Sequence, residues 1–148
     1  MKIFIGADHN GFVLKKNLSD FLRRSGYEVV DEGDVKIDSQ DDFPQFAGRA
    51  VSALLADGDD ESKAILICGS GQGMCMAANR FKGIRASLCW DVREARMARN
   101  DDDSNVLCLP ARVLDEREAQ SIMVTWLNTS FAGAPRFKRR IQQLDELG

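Results

Sequence analysis

Short continuous apolar runs alternate along this chain with stretches whose apolar residues recur three and four positions apart, the spacing of a helix face. Residues 2–6 read as a strand, followed by Ala7-Asp-His-Asn-Gly11. In residues 13–26, Val13, Leu14, Leu18, Phe21 and Leu22 share one helical face, and Gly26 is a C-terminal stop. Residues 27–30 predict the second strand, and residues 32–42 are polar and turn-like. Residues 43–56 have helical spacing, with Pro44 tolerated in the first turn. After a surface loop from Gly58, residues 64–67 form a third strand and 74–78 a helix. Residues 83–90 predict a fourth strand, and 91–100 a helix capped by Asp91. Residues 101–104 interrupt before a fifth strand at 105–110. Residues 115–127 are amphipathic, with Ile122, Met123, Trp126 and Leu127 as the core face; 131–135 are a break and 136–147 a cationic helix. Strands alternating with helices predict an α/β fold, a parallel sheet covered on both faces.

Such sheets bind ligands at the carboxyl ends of their strands. That rule places Asp8 and His9, Cys68 to Gly73, Trp90 and Asp91, and Pro110 to Arg112 along one rim, while 101–104 enter the last strand from the other side.

Composition narrows the function classes. The 148 residues suit one domain with a real core. A net charge of -3 gives no drive toward nucleic acid or anionic membranes. No run approaches transmembrane length, and the first apolar residues are too few for a signal peptide, so a cytoplasmic location is expected. Four cysteines at irregular spacing beside one histidine argue against a zinc site, and no metal is expected. Cys75, Cys89 and Cys108 read as reduced thiols in or near the core.

Cys68 differs because three closely spaced glycines come directly after it. The stretch Ala64-Ile-Leu-Ile-Cys-Gly-Ser-Gly-Gln-Gly-Met-Cys-Met-Ala-Ala-Asn79 predicts strand, glycine turn and helix. Backbone N–H groups in such a turn can bind an anion or a developing oxyanion. No Lys-Ser/Thr pair follows Gly73, and Gly69-Ser-Gly-Gln-Gly73 does not keep the dinucleotide spacing. An anion nest and a plain tight turn both remain open from local spacing. Cys68 can serve as nucleophile or general base, with His9 the sole imidazole available to it. Arg136 and Arg140, one helical turn apart, can grip a phosphate or simply form a solvated basic face, and Arg112 can join a phosphate site.

Together, Gly6-Ala-Asp-His-Asn-Gly-Phe12, Cys68-Gly-Ser-Gly-Gln-Gly73 with Ala77-Ala-Asn-Arg80, Gly83-Ile-Arg-Ala86, Asn105-Val-Leu107 with Arg112, and Arg136 with Arg140 form a pattern covering essentially the whole chain. It resembles the ribose-5-phosphate isomerase B family, which includes allose- and galactose-6-phosphate isomerases. The resemblance implies a Rossmann-like three-layer αβα sandwich with a five-stranded parallel sheet. It also implies a homodimer or tetramer whose sites are shared between subunits, and no cofactor. It makes Cys68 the base that moves a proton between C1 and C2 of an open-chain sugar phosphate, with Ser70 assisting the carbonyl end. The segment Gly69, Gly71, Gln72 and Gly73 would hold the cis-enediolate, and Asp8 and His9 would contact the sugar. Arg112, with Arg136 and Arg140 of the partner subunit, would hold the phosphate.

The chain departs from that pattern where the family has His-Asn before the fifth strand, the histidine being assigned to ring opening. Asp101 and Asp102 stand there instead. Phe137 replaces a histidine beside Arg136, and Gly133-Ala-Pro135 replaces a Gly-Gly pair. Asp101 taking over ring opening is one expectation. A tetrose or other aldose phosphate recognised through Asp101 and Asp102 is another, and binding of a sugar phosphate without turnover is a third.

Overall fold

The computed structural model describes Met1–Gly148. Its elements are β1 (Lys2–Ala7), α1 (Phe12–Arg24), β2 (Glu28–Asp31), α2 (Phe43–Asp57), β3 (Lys63–Cys68), α3 (Gln72–Ala78), β4 (Ala86–Leu88), α4 (Val92–Asp102), β5 (Val106–Pro110), α5 (Glu116–Asn128) and α6 (Pro135–Asp145). The strands form one parallel sheet in the order β2-β1-β3-β5-β4. This is the parallel α/β sheet that the strand–helix alternation predicts, in the Rossmann-like five-stranded form that the family resemblance implies.

Strand side chains alternate between the sheet's two faces and build two cores. Ile3, Ile5, Ile65, Ile67, Leu107 and Leu109 pack with Leu18 and Leu22 of α1, Ala95 and Ala98 of α4, and Ile122, Met123 and Trp126 of α5. On the other face Phe4, Leu66, Cys68 and Cys108 meet Phe46, Ala50, Val51 and Leu54 of α2, with Met74 and Ala78 of α3. β3, central in the sheet, is buried at every position, as strands covered on both faces are. No helix is long and apolar enough to cross a membrane.

Several boundaries differ from the sequence expectation. Val13 is 63% exposed rather than on the core face of α1, because that face is set by Leu18 and Leu22 while Lys15 reaches inward to Asp31 at 3.0 Å. β4 spans Ala86–Leu88, not 83–90, since its single neighbour in the sheet is β5. The largest change concerns Asp101 and Asp102, expected in a loop. They form the last turn of α4, which ends where Asp103 turns left-handed at φ 49. The reason lies outside the local sequence. Arg85 donates to the carbonyls of Asp102 (3.2 Å) and Asp103 (2.9 Å), and Arg99 donates to the Asp103 carboxylate (2.8 Å), so the helix end has donors for its exposed carbonyls.

α6 stands apart from both cores. It contains no buried residue and touches the rest of the chain near the end of α4, where Ala132 N–H donates to the Asn100 carbonyl at 3.0 Å.

Candidate active site

β3 delivers Cys68 to the carboxyl rim of the sheet, opposite Pro110 of β5. The chain then turns at Gly71, whose φ of +76 lies in the left-handed region. A Cβ there would stand 2.4 Å from Leu88 Cδ1 and 3.2 Å from Pro110 N, so conformation and space both call for glycine. α3 starts immediately afterwards. Gln72 N–H donates to Ser70 Oγ at 3.3 Å. The N–H groups of Gly69, Ser70, Gly71, Gly73 and Met74 have no acceptor within the chain. A group of free amides therefore lies next to Cys68, which is itself only 5% exposed. Such a cluster favours negative charge through its aligned dipoles.

β1 brings the next residues to the same rim. Ala7 is in register with Ile67, and Asp8 N–H donates to the Ile67 carbonyl at 3.3 Å, which seats Asp8 beside Cys68. The buried Asp8 carboxylate accepts from Asn10 N–H (3.0 Å) and Gly11 N–H (3.4 Å) and so shapes the turn that carries His9. Arg112 closes the mouth. Its N–H donates to the Gly69 carbonyl at 2.9 Å and its Nη2 donates to Asn10 Oδ1 at 3.2 Å. A Cβ on Gly69 would lie 3.2 Å from Arg112 Nε, so the bare glycine admits the guanidinium. Asp8, His9, Cys68, the amides of Gly69 to Gly73 and Arg112 thus converge, as the motif order suggests. Trp90 is exposed there, and Asp91 is committed to capping α4 by accepting from Glu94 N–H at 2.8 Å.

Asp101, Asp102, Arg136 and Arg140 do not join this group within one chain. Asp102 and Arg140 line a groove of about 770 Å³ between α6 and the amino end of β4, with Asn79, Arg85 and Leu144 among its walls. α4 leads into the amino end of β5 at Val106, whereas Cys68 faces its carboxyl end at Pro110. At roughly 3.3 Å per residue the strand alone separates the two sets by about 13 Å. Burial, helped by neighbouring Asp101 and opposed by Arg140, raises the Asp102 carboxyl above its ordinary range. The Asp101 carboxylate accepts from Asn100 Nδ2 at 2.8 Å. Arg136 stacks over the Phe137 ring at 4.5 Å.

Three residues of this region carried too little sequence signal to be singled out. Asp41 belongs to a polar turn, yet its carboxylate sits 2.8 Å from His9 Nδ1. Asn10 lies inside a motif, and its role comes from Arg112, whose Nη2 reaches its Oδ1. Cys75 resembles any core thiol in sequence, but its pKa is lowered to about 7 by a hydrogen bond with Cys108, assisted by one with the Leu88 backbone. Asp8, His9 and Asp41 are also the one group close enough to hold a cation, their ligand atoms lying within 4.8 Å of one another. Oxygens of both carboxylates are already engaged by Asn10, Gly11 and His9.

Residues 3–144 match the family described as Ribose/Galactose Isomerase. The chain belongs to the ribose/galactose isomerase family. Among its relatives is the probable ribose-5-phosphate isomerase B of Mycoplasma genitalium, 41% identical over 142 residues, covering 96% of this chain and 92% of that protein. The ribose-5-phosphate isomerase B of Escherichia coli is 36% identical over 143 residues, covering 97% and 93%. A ribose 5-phosphate isomerase structure from Thermotoga maritima superposes with a TM-score of 0.92 at 41% identity, over 99% of this chain and 98% of that one. The Mycoplasma genitalium enzyme, solved with bound ribulose-5-phosphate, gives 0.93 at 40% identity over 97% and 93%. Both the Cys68 rim and the α6 segment up to residue 144 fall within the span shared with the ribose/galactose isomerase family.

Proposed function

We propose that this protein interconverts an aldose phosphate and its ketose, with ribose 5-phosphate and ribulose 5-phosphate as the pair. The observation that carries the proposal is the group of unpaired amides from Gly69 to Met74 beside Cys68. A relative of the same fold that holds ribulose-5-phosphate supports the choice of sugar. The Cys68 thiolate takes the proton from C2 of the open-chain aldose, electrons move onto the C1 oxygen, and the amides hold the resulting cis-enediolate. Ser70 assists the transfer between the two oxygens, and the Cys68 thiol then returns a proton to C1.

The phosphate end needs more than Arg112. A second copy of the chain would bring Arg136 and Arg140 of the partner subunit, with Asp101 and Asp102, to the Cys68 rim. Supporting this, α6 has no buried residue within its own chain, and Leu144 near its end and Leu147 just after it are exposed, at 50% and 74%. The shared site would make the protein a homodimer or a tetramer built of two such dimers, working in the cytoplasm on a free metabolite without a cofactor.

The test is turnover of ribose 5-phosphate by the purified protein, with allose 6-, galactose 6- and erythrose 4-phosphates in parallel. The wild type is expected to convert ribose 5-phosphate, and Cys68→Ser to lose roughly 10²- to 10⁴-fold in kcat, the range for a lost proton-transfer group. Undiminished activity of Cys68→Ala rules out Cys68 as base. A second reading, that another aldose phosphate is the better substrate, is favoured by Asp101 and Asp102, with Asp102 beside Arg140 in the groove, standing where the family has His-Asn. A higher kcat/KM for a tetrose or hexose phosphate would establish it.

A further inference from the structure

An aldopentose phosphate closes into a ring, and proton transfer between C1 and C2 needs it open. Opening removes the proton from O1, breaks the C1–O4 bond as C1=O1 forms, and places a proton on O4. One group that titrates near neutrality can do both, since O1 and O4 share the carbon C1. His9 is the chain's one histidine and stands at the rim that carries Cys68.

We propose that Asp41 is a positioning residue that makes His9 this proton carrier, holding Nδ1 so that Nε2 is the nitrogen left free for the sugar oxygens. This role rests on the isomerase activity proposed for the Cys68 rim. A single Asp41 oxygen, Oδ1, accepts from the His9 backbone N–H at 3.0 Å and lies 2.8 Å from Nδ1. Two contacts from one atom fix both the position of the residue and the plane of its ring. The Asp41 side chain is 6% exposed and the imidazole 31%, so the anchor is inside and the working end outside. Asp41 is itself held by a turn, its N–H donating to the Asp38 carbonyl at 3.2 Å, directly before the Asp42 cap of α2.

Carboxylate on Nδ1 selects the tautomer with hydrogen there, leaving a lone pair on Nε2 to take the O1 proton. The imidazolium then returns a proton from Nε2 to O4, so one proton moves and none is consumed. The charged groups facing His9 are Asp8 at the end of β1, Asp41 before α2 and Arg112 after β5. The Asp41 hydrogen bond raises the His9 pKa, Asp8 adds to it, and Arg112 opposes it. Cys75, also near neutrality, is tied to Cys108 and the Ala86 carbonyl.

With one histidine, the test has a clean signal. Labelled-histidine NMR of the intact protein should show His9 titrating above 6.5 with hydrogen on Nδ1 in the neutral form. Asp41→Asn should lower that pKa and shift the tautomer toward Nε2–H. Its turnover of ribose 5-phosphate should fall at least about tenfold, as for loss of a positioned acid–base group. Exchange of the C1 proton of ribulose 5-phosphate with D₂O needs no ring opening and should stay within about threefold of wild type, KM included. His9→Gln should lower ribose 5-phosphate turnover more than it lowers C1 exchange, and serves if Asp41→Asn does not fold. Equal losses in both assays, or an unchanged His9 pKa and tautomer, overturn the proposal. A wild type that acts on neither sugar refutes the isomerase reading instead, and the NMR titration, which needs no substrate, tells the two failures apart.

Discussion

Cys75 of α3 and Cys108 of β5 influence each other, and their interaction pushes the two thiols in opposite directions. The half-buried Cys75 ionises at about 7, while Cys108, fully enclosed, is raised well above 9.0. Cys89, buried and near Glu94, is pushed up to about 12. Thiolate is the reactive form, so brief alkylation should modify Cys75 with a midpoint near pH 7 and leave Cys89 and Cys108 intact below pH 9. Peptide mass spectrometry across that pH range reads the order directly, and labelling of Cys108 before Cys75 would contradict it. At this scale the sequence was partly legible. Cys68 stood out through the glycines after it, whereas the difference between Cys75 and Cys108 depends on packing across elements that are 33 residues apart in the numbering. Asp41 was silent for the same reason: its partner His9 is brought to it by the crossover from β1 to α2.

Elements whose ends are set locally read well. α5 begins at a capping box in which Asp115 accepts from Glu118 N–H at 2.8 Å and donates its own N–H to Glu118 Oε1 at 3.1 Å. Asp115→Ala should cost about 1 kcal/mol, a fall in Tm of roughly 2–4 °C for a chain of this size, measurable by calorimetry with activity unchanged. An unaltered Tm would show that the box adds nothing to stability. The end of α4 shows the contrary case. Asp101 to Asp103 look like a break because aspartate is a poor residue for a helix C-terminus. Arg85 and Arg99 supply the opposing charge and the donors, and Arg85 comes from the segment leading into β4. β4 was overestimated for a related reason: its apolar run is longer than the three residues that find a partner on β5.

In the whole molecule, the candidate residues fall at two edges of one sheet. If each site takes Cys68 from one chain and Arg140 from another, two inactive variants should rescue each other. Mixing Cys68→Ala with Arg140→Ala under conditions that exchange subunits gives one intact site per mixed dimer. Random pairing then predicts about a quarter of wild-type specific activity. Activity equal to the sum of the separate variants would place each site within one chain. The Arg140→Ala variant alone should mainly raise KM, since its role is to hold the phosphate, so the mixing is read at substrate far below that raised KM, where this variant too is nearly inactive.

The strand–helix alternation, the carboxyl rim and the identity of Cys68 came from the sequence, because apolar periodicity and glycine spacing are local properties that the chain carries wherever it folds. The carboxyl-end rule also put Asp8, His9 and Arg112 on that rim, and tertiary structure decided how they touch. Parallel pairing of β1 with β3 and of β3 with β5 placed Asp8, His9 and Arg112 around Cys68. The same topology sent Asp101, Asp102 and Arg140 to the far edge, and brought Asp41 to His9, because contacts made across a crossover leave no period in the sequence.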